Sequence, residues 1–223
     1  LRQAALAVVF AAVVVTASGC SSTEPAAAPA PPPPARTQAT SKLHRYAFRA
    51  EAPSNREVGA QLPGEDAELT APDGQVARIS DFRGRPIVLV FNRGFAGYVC
   101  PYCTTYTAQL ATRYEEIKAL GGELLLVYPT RDTDEARAIE FTDAVNEILE
   151  AEGKEGLPFP VFLDRGLVAT MRFNLTGDLT KPSTFVLDRA GVIRYAYVGN
   201  APDERPAVDR VIEELRAAAG GGS

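Results

Sequence analysis

The run Ile87-Val88-Leu89-Val90-Phe91, followed nine residues later by Cys100-Pro101-Tyr102-Cys103, decides how this chain is read. The five apolar residues show no alternation, and Gly84 and Gly94 flank them, as expected of a strand buried on both faces. After the cysteines, Leu110, Tyr114, Ile117 and Leu120 fall on one helical stripe that Gly121-Gly122 closes, so the spacing predicts a helix over 101–120. A strand giving way to a helix puts the cysteine pair at the helix N-terminus. Two cysteines three apart meet across one turn, so they can cycle between dithiol and disulfide. At that position the first cysteine sees unpaired N–H groups and the positive end of the macrodipole, and both favour thiolate. Pro101 suits the first helical turn, where its missing N–H is not needed. On this reading Cys100 is the exposed attacking thiolate and Cys103 the resolving thiol.

Working outward, Asp73-Gly74 between Leu69 and Val76-Ala77-Arg78-Ile79 is a hairpin signal. Glu123 to Tyr128 is a second buried strand and Asp132 to Glu152 a helix, with Ile139, Val145, Ile148 and Leu149 inward. Val161-Phe162-Leu163 is a short strand and Gly166 to Phe173 a short helix. Strands over Ser183 to Leu187 and Val192 to Val198 are joined by Asp188-Arg189-Ala190-Gly191, a type I turn. Asp203 to Ala219 is a closing helix. The alternation implies an α/β domain whose parallel strands are joined by right-handed crossovers, in a mixed central sheet flanked by helices, with an N-terminal hairpin extension.

Composition narrows the chemistry. The 23 Lys+Arg against 28 Asp+Glu leave a net charge of −5, which disfavours generic nucleic-acid binding. One His and three Cys exclude a zinc finger and a disulfide-rich scaffold, and exclude a Cys-His hydrolase unless His44 is the base. A half zinc site at Cys100 and Cys103 lacks a second pair, and a purely structural disulfide across so small a loop constrains the unfolded chain little. No metal and no cofactor is expected.

The organisation expected along the chain is a lipoprotein signal peptide over 1–19, an Ala/Pro-rich tether over 20–57, the domain over 58–219 and a flexible tail over 220–223. Ala4 to Ala17 is apolar except for Thr16, and as a helix spans about 21 Å, short of the roughly 30 Å hydrocarbon core, so it reads as a signal-peptide apolar region rather than a span. Ala17-Ser18-Gly19-Cys20 resembles the bacterial lipobox, with Ala17 where Leu is usual. That resemblance implies lipidation of Cys20 and a membrane-anchored protein facing the periplasm or cell exterior. The Pro-rich segment ending in Pro31-Pro32-Pro33-Pro34 favours extended polyproline II and reads as a spacer. His44 reads as a solvated side chain.

Four motifs in order carry a family resemblance: Asp81-Phe82-Arg83-Gly84-Arg85-Pro86, then Cys100-Pro101-Tyr102-Cys103, then Phe159-Pro160-Val161-Phe162-Leu163-Asp164, then Lys181-Pro182-Ser183-Thr184-Phe185-Val186-Leu187-Asp188. Over about Leu69 to Leu215 the chain resembles the AhpC/TSA redoxin branch of the thioredoxin-like superfamily, which holds peroxiredoxins and TlpA/ResA-like tethered oxidoreductases. Peroxiredoxins usually show P-x-x-x-T/S-x-x-C; counting back from Cys100, Gly97 and Arg93 stand at those places. Pro182 stands where peroxiredoxins carry an Arg, and resembles the cis-Pro of thioredoxins. The resemblance implies a substrate groove formed by Pro182, Lys181, Tyr98, Tyr102 and Pro101. Arg93 is a candidate thiolate stabiliser, and Arg93 or Lys181 a candidate substitute for the missing peroxide-binding cation.

The function expected is an exported, lipid-anchored thiol-disulfide oxidoreductase acting on a protein or small-molecule disulfide, with a thiol electron donor. The alternatives are a thiol-dependent, antioxidant peroxidase acting on peroxide, and a Sco-like copper chaperone, whose C-x-x-x-C and distant His this chain lacks.

Overall fold

The computed structural model describes residues 41–63, 66–94, 97–131 and 135–221. The signal peptide, Cys20 and the Pro-rich spacer lie outside the described residues.

Seven strands form one mixed sheet: β1 (Glu68–Thr70), β2 (Val76–Arg78), β3 (Ile87–Phe91), β4 (Glu123–Thr130), β5 (Val161–Arg165), β6 (Ser183–Leu187) and β7 (Ile193–Val198), in the order β2-β1-β5-β4-β3-β6-β7. β3, β4 and β5 are parallel; β6 and β7 close the sheet antiparallel, and the β1–β2 hairpin adds to the β5 edge. The helices are α1 (Pro101–Thr112), α2 (Tyr114–Ala119), α3 (Glu135–Ala151), α4 (Val168–Arg172) and α5 (Val208–Gly220). This is the expected thioredoxin-like α/β architecture.

Period-two side-chain direction divides the core into two layers. Val88 and Val90 of β3 and Leu124 and Leu126 of β4 pack with Leu110 of α1, Phe141 and Val145 of α3 and Val211, Ile212 and Leu215 of α5. Ile87, Leu89 and Phe91, with Leu125 and Val127, point to the opposite face, against Phe173, Leu175 and Phe185. All five β3 side chains are buried, which is why the run shows no alternation in sequence.

Four local expectations are corrected. The helix over 101–120 is two helices, because Arg113 leaves helical geometry (φ −113°, ψ 10°) and its N–H turns to Leu110 O. The Thr112 hydroxyl bonds back to Gln109 O (2.8 Å) at the same place, competing with the regular ladder. Ile139 is 60% exposed rather than inward, since Ala138, Phe141, Val145, Ile148 and Leu149 already fill the buried stripe of α3. The last helix begins at Val208, not Asp203, because Pro206 disfavours helical geometry at Arg205 before it. It runs on through Gly220, the first residue of the expected tail.

The segment from Ser41 to Glu57, read as the end of the tether, instead packs on the domain. Leu43 and Ala52 are buried. The Gln109 amide on α1 donates to Leu43 O (2.8 Å) and Tyr46 O (3.2 Å), the Tyr195 hydroxyl to Ala52 O (2.7 Å), and the Asn55 side chain pairs with the backbone of Val198. Apolar residues spaced irregularly among polar ones gave no periodic signal, although they satisfy a strap lying across helix and sheet. His44 is exposed within a single 3-10 turn, Lys42–His44.

Candidate redox site

Cys100 is the N-cap residue of α1 and Pro101 its first helical residue, as the sequence implies. Both cysteines are free thiols, and both are buried: Cys100 is 7% exposed and Cys103 1%. Cys100 is therefore not the exposed thiol expected, but it is the one with a route to solvent. The hydrogen bond from the Cys103 thiol, helped by the N–H groups of Cys103 and Tyr102 and by the charge of Arg205, lowers the Cys100 pKa to about 6 against the opposing effect of burial. Burial pushes the Cys103 thiol well up, and its proton shared with Cys100 adds to this; Arg205 and the backbone N–H of Arg93 pull the other way. The pair thus divides its roles: one sulfur ionises near neutral pH, and the other holds a proton against it.

The cation beside the pair is Arg205, which sequence reading missed. Its guanidinium is 1% exposed, donates from Nη2 to Cys103 Sγ at 3.0 Å and from Nε to Pro202 O at 3.2 Å, and lies 5.2 Å from the centre of the Tyr106 ring. Among the described residues its Nη1 has no hydrogen-bond partner, and no carboxylate lies within ion-pair distance. Tyr106 is fully buried one turn beyond Cys103; its hydroxyl pairs with Thr184 of β6 (3.4 Å), and burial pushes its pKa up to about 12.

Two features hold Arg205 in place. Gly199 follows β7 and passes so close to the returning chain that a Cβ there would sit 2.1 Å from Glu204 O. The strap then bonds the loop at Arg205 and two residues beyond it: the Arg49 N–H donates to Arg205 O (2.9 Å), and the Ala207 N–H to Arg49 O (2.8 Å). The same strap lays Tyr46 on Tyr102, with ring centres 4.0 Å apart, and Phe48 edge-on to Tyr106 at 4.8 Å. The sequence pattern places Asp203-Glu204-Arg205 in the first turn of a helix; the signal against this is Pro206, which disfavours helical geometry at Arg205.

Other expected site residues scatter. Arg93 reaches the pair by its backbone N–H, while its side chain lines a cavity of about 410 Å³ with Thr130, Arg131 and Thr170. Gly94 (φ +79°) allows that turn, since a Cβ would meet Pro129 O at 2.8 Å. Tyr98 is 61% exposed. Tyr102 is half-buried beneath Tyr46. Pro182 is buried and Lys181 half-buried at the start of β6, where Ser183 lies opposite Phe91 at the end of β3. Among the described residues no peptide bond is cis, so the cis reading of Pro182 is overturned. The Pro182 carbonyl accepts the Gly199 N–H (2.8 Å) and continues the β6–β7 ladder with an ordinary trans peptide. The buried amide of Asn92, just after β3, has no partner among the described residues and gave no sequence signal.

The AhpC/TSA family model matches residues 58–196, spanning the hairpin, the cysteine pair and the sheet into β7. The chain belongs to the AhpC/TSA family. Among its AhpC/TSA relatives, chloroplastic peroxiredoxin Q of Oryza sativa subsp. japonica is 30% identical over 133 residues, covering 58% of this chain and 54% of that protein. The chain thus spans about half the length of this curated relative. The thiol-disulfide oxidoreductase ResA of Geobacillus kaustophilus is 26% identical over 159 residues, covering 71% and 78% of the two chains. Of solved structures, Xanthomonas campestris peroxiredoxin Q superposes with a TM-score of 0.53 at 19% identity, over 73% of this chain and 99% of that one. Mycobacterium bovis AhpC superposes with a TM-score of 0.58 at 18% identity, over 75% and 95%. These likenesses show the thioredoxin-like fold.

Proposed function

We propose that the protein is a thiol-disulfide oxidoreductase, anchored outside the cytoplasm through lipidated Cys20. The observation that carries the redox assignment is the placement of two free thiols one turn apart at the N-terminus of α1, Cys100 at the N-cap and Cys103 sealed behind it. The Cys100 thiolate attacks one sulfur of a partner disulfide. A Cys100–partner bond forms, the partner's own bond breaks, and the released partner thiolate takes up a proton. Cys103 then gives up its proton and attacks Cys100, closing the internal disulfide and releasing the second partner thiol. Two electrons pass to the partner, and a membrane or thiol donor returns them in an oxidising compartment. The lipobox-like Ala17-Ser18-Gly19-Cys20 and the Pro-rich spacer support the anchored placement.

Peroxidase activity is the second reading, favoured by the peroxiredoxin Q relatives. Against it stand Gly97, Arg93 and Pro182 at the places where the resemblance expects the peroxide-activating groups. Side-by-side turnover by the reduced protein separates the two: faster consumption of a protein disulfide than of hydrogen peroxide or an organic hydroperoxide is expected, and the reverse order would replace the first reading by the second. Labelling with radioactive palmitate that is lost in Cys20→Ser tests the anchor.

A further inference from the structure

A buried guanidinium without a carboxylate is costly unless another anion stands in for one. Around Arg205 the available anion is the sulfur pair: Nη2 lies 3.0 Å from Cys103 Sγ, and Nη1 is unpartnered among the described residues. Of the acidic groups nearest in sequence, Glu204 is engaged with Arg49 (2.8 Å) and with the Asn200 N–H (2.7 Å), and Asp203 is exposed. We infer that Arg205 is a catalytic residue that raises the reduction potential of the pair, acting as counter-ion to its reduced form and making the Cys100–Cys103 disulfide an acceptor of electrons from the dithiol donor that recharges it. This rests on the reading of the pair as redox-active and names the chemical class of its electron donor.

The charge balance gives the sign. Reduction at neutral pH adds two electrons and one proton, breaking the Cys100–Cys103 bond and leaving one thiolate and one thiol. The reduced pair carries one negative charge that neutralises Arg205. The disulfide carries none, so in the oxidised protein the guanidinium stays buried without a counter-ion. Arg205 therefore stabilises the reduced state relative to the oxidised one and raises the reduction potential, as any group that favours the thiolate form does. The electron donor that follows is a reduced dithiol, whose electrons the disulfide accepts before the reduced pair passes them to the partner disulfide.

Three variants of the full-length protein test this: R205M removes charge and donors, R205Q keeps donors toward Pro202 O but sheds the charge, and R205K keeps the charge. Each is equilibrated against defined ratios of reduced and oxidised dithiothreitol at pH 7, and the dithiol fraction is read by alkylation mass shift. The expected result is a fall of at least tenfold in the equilibrium constant for reduction in R205Q and R205M, about 30 mV for this two-electron couple. R205K should stay closer to wild type. Should R205M not fold, the R205Q and R205K pair decides. Equal constants in wild type, R205Q and R205K, with the pair still cycling, would overturn the role of Arg205 alone. A wild-type pair that does not cycle would overturn the redox reading itself.

Discussion

Two arginines bear on the cysteine pair, and they differ in every respect that matters electrostatically. Arg93 stands seven residues before Cys100 in sequence, yet its side chain is half-buried in a neighbouring cavity and only its backbone N–H reaches Cys103. Arg205 arrives from the β7–α5 loop, is 1% exposed and touches Cys103 Sγ. A charge at the surface is screened by water and salt; a charge sealed beside a sulfur is not. Proximity along the chain therefore misidentified the cation that counts.

The comparison can be broken most forcefully at the sulfurs. Cys100→Ser should lower disulfide turnover by at least about a thousandfold, since Cys103 is sealed from solvent and held protonated by burial, and Cys103→Ser should accumulate a mixed disulfide with partner. Substituting Arg205 comes next. In R205Q the pH midpoint for alkylation of Cys100 by iodoacetamide should move up from about 6. In wild type, thiolate exceeds thiol by about ten to one at pH 7, so the alkylation rate rises through pH 6 and flattens above pH 7. Arg93→Ala should leave that profile within about twofold at every pH, because its charge is screened; a shift as large as that of R205Q would reverse the ranking of the two arginines.

Smaller effects sharpen the account of what places Arg205. Gly199→Ala forces a Cβ onto Glu204 O and should move the Arg205 loop, lowering thiolate content along with stability. Tyr46→Ala removes one ring of the stack on Tyr102 and should cost roughly 0.5–1.5 kcal/mol in denaturant unfolding. The reduced protein also carries a pH signature. A thiol whose pKa is depressed on folding adds stability that is present above its unfolded pKa and lost as pH falls through the folded one. Wild type should therefore gain stability relative to Cys100→Ser between about pH 6 and pH 9. The raised pKa of Cys103 opposes this only above pH 9.

The readable parts of the fold were those with a period or a punctuation mark. The β3 run, the Asp73-Gly74 turn and the cysteine pair at a strand-to-helix junction each depend on local chemistry, and each lies where the sequence implied. The strap failed to register because Leu43, Tyr46, Phe48 and Ala52 follow no helix or strand period and bury themselves against residues remote in sequence. Arg205 failed for a related reason: a lone arginine beside Asp203 and Glu204 looks solvated, and only Pro206 and the clearance at Gly199 dictate the loop that turns it inward. The exposure expected for Cys100 was wrong because helix position governs ionisation, while the surrounding loops govern access.

The most direct measurement of the central claim is mass spectrometry of the peptide spanning Cys100 and Cys103 after reduced protein is exposed to one equivalent of a disulfide oxidant and then to dithiol. The account predicts stoichiometric loss of two hydrogens between Cys100 and Cys103 within a single chain, fully restored on reduction. Thiols that persist through the oxidant, or oxidation that stops as a mixed disulfide at Cys100 without closing onto Cys103, would contradict it.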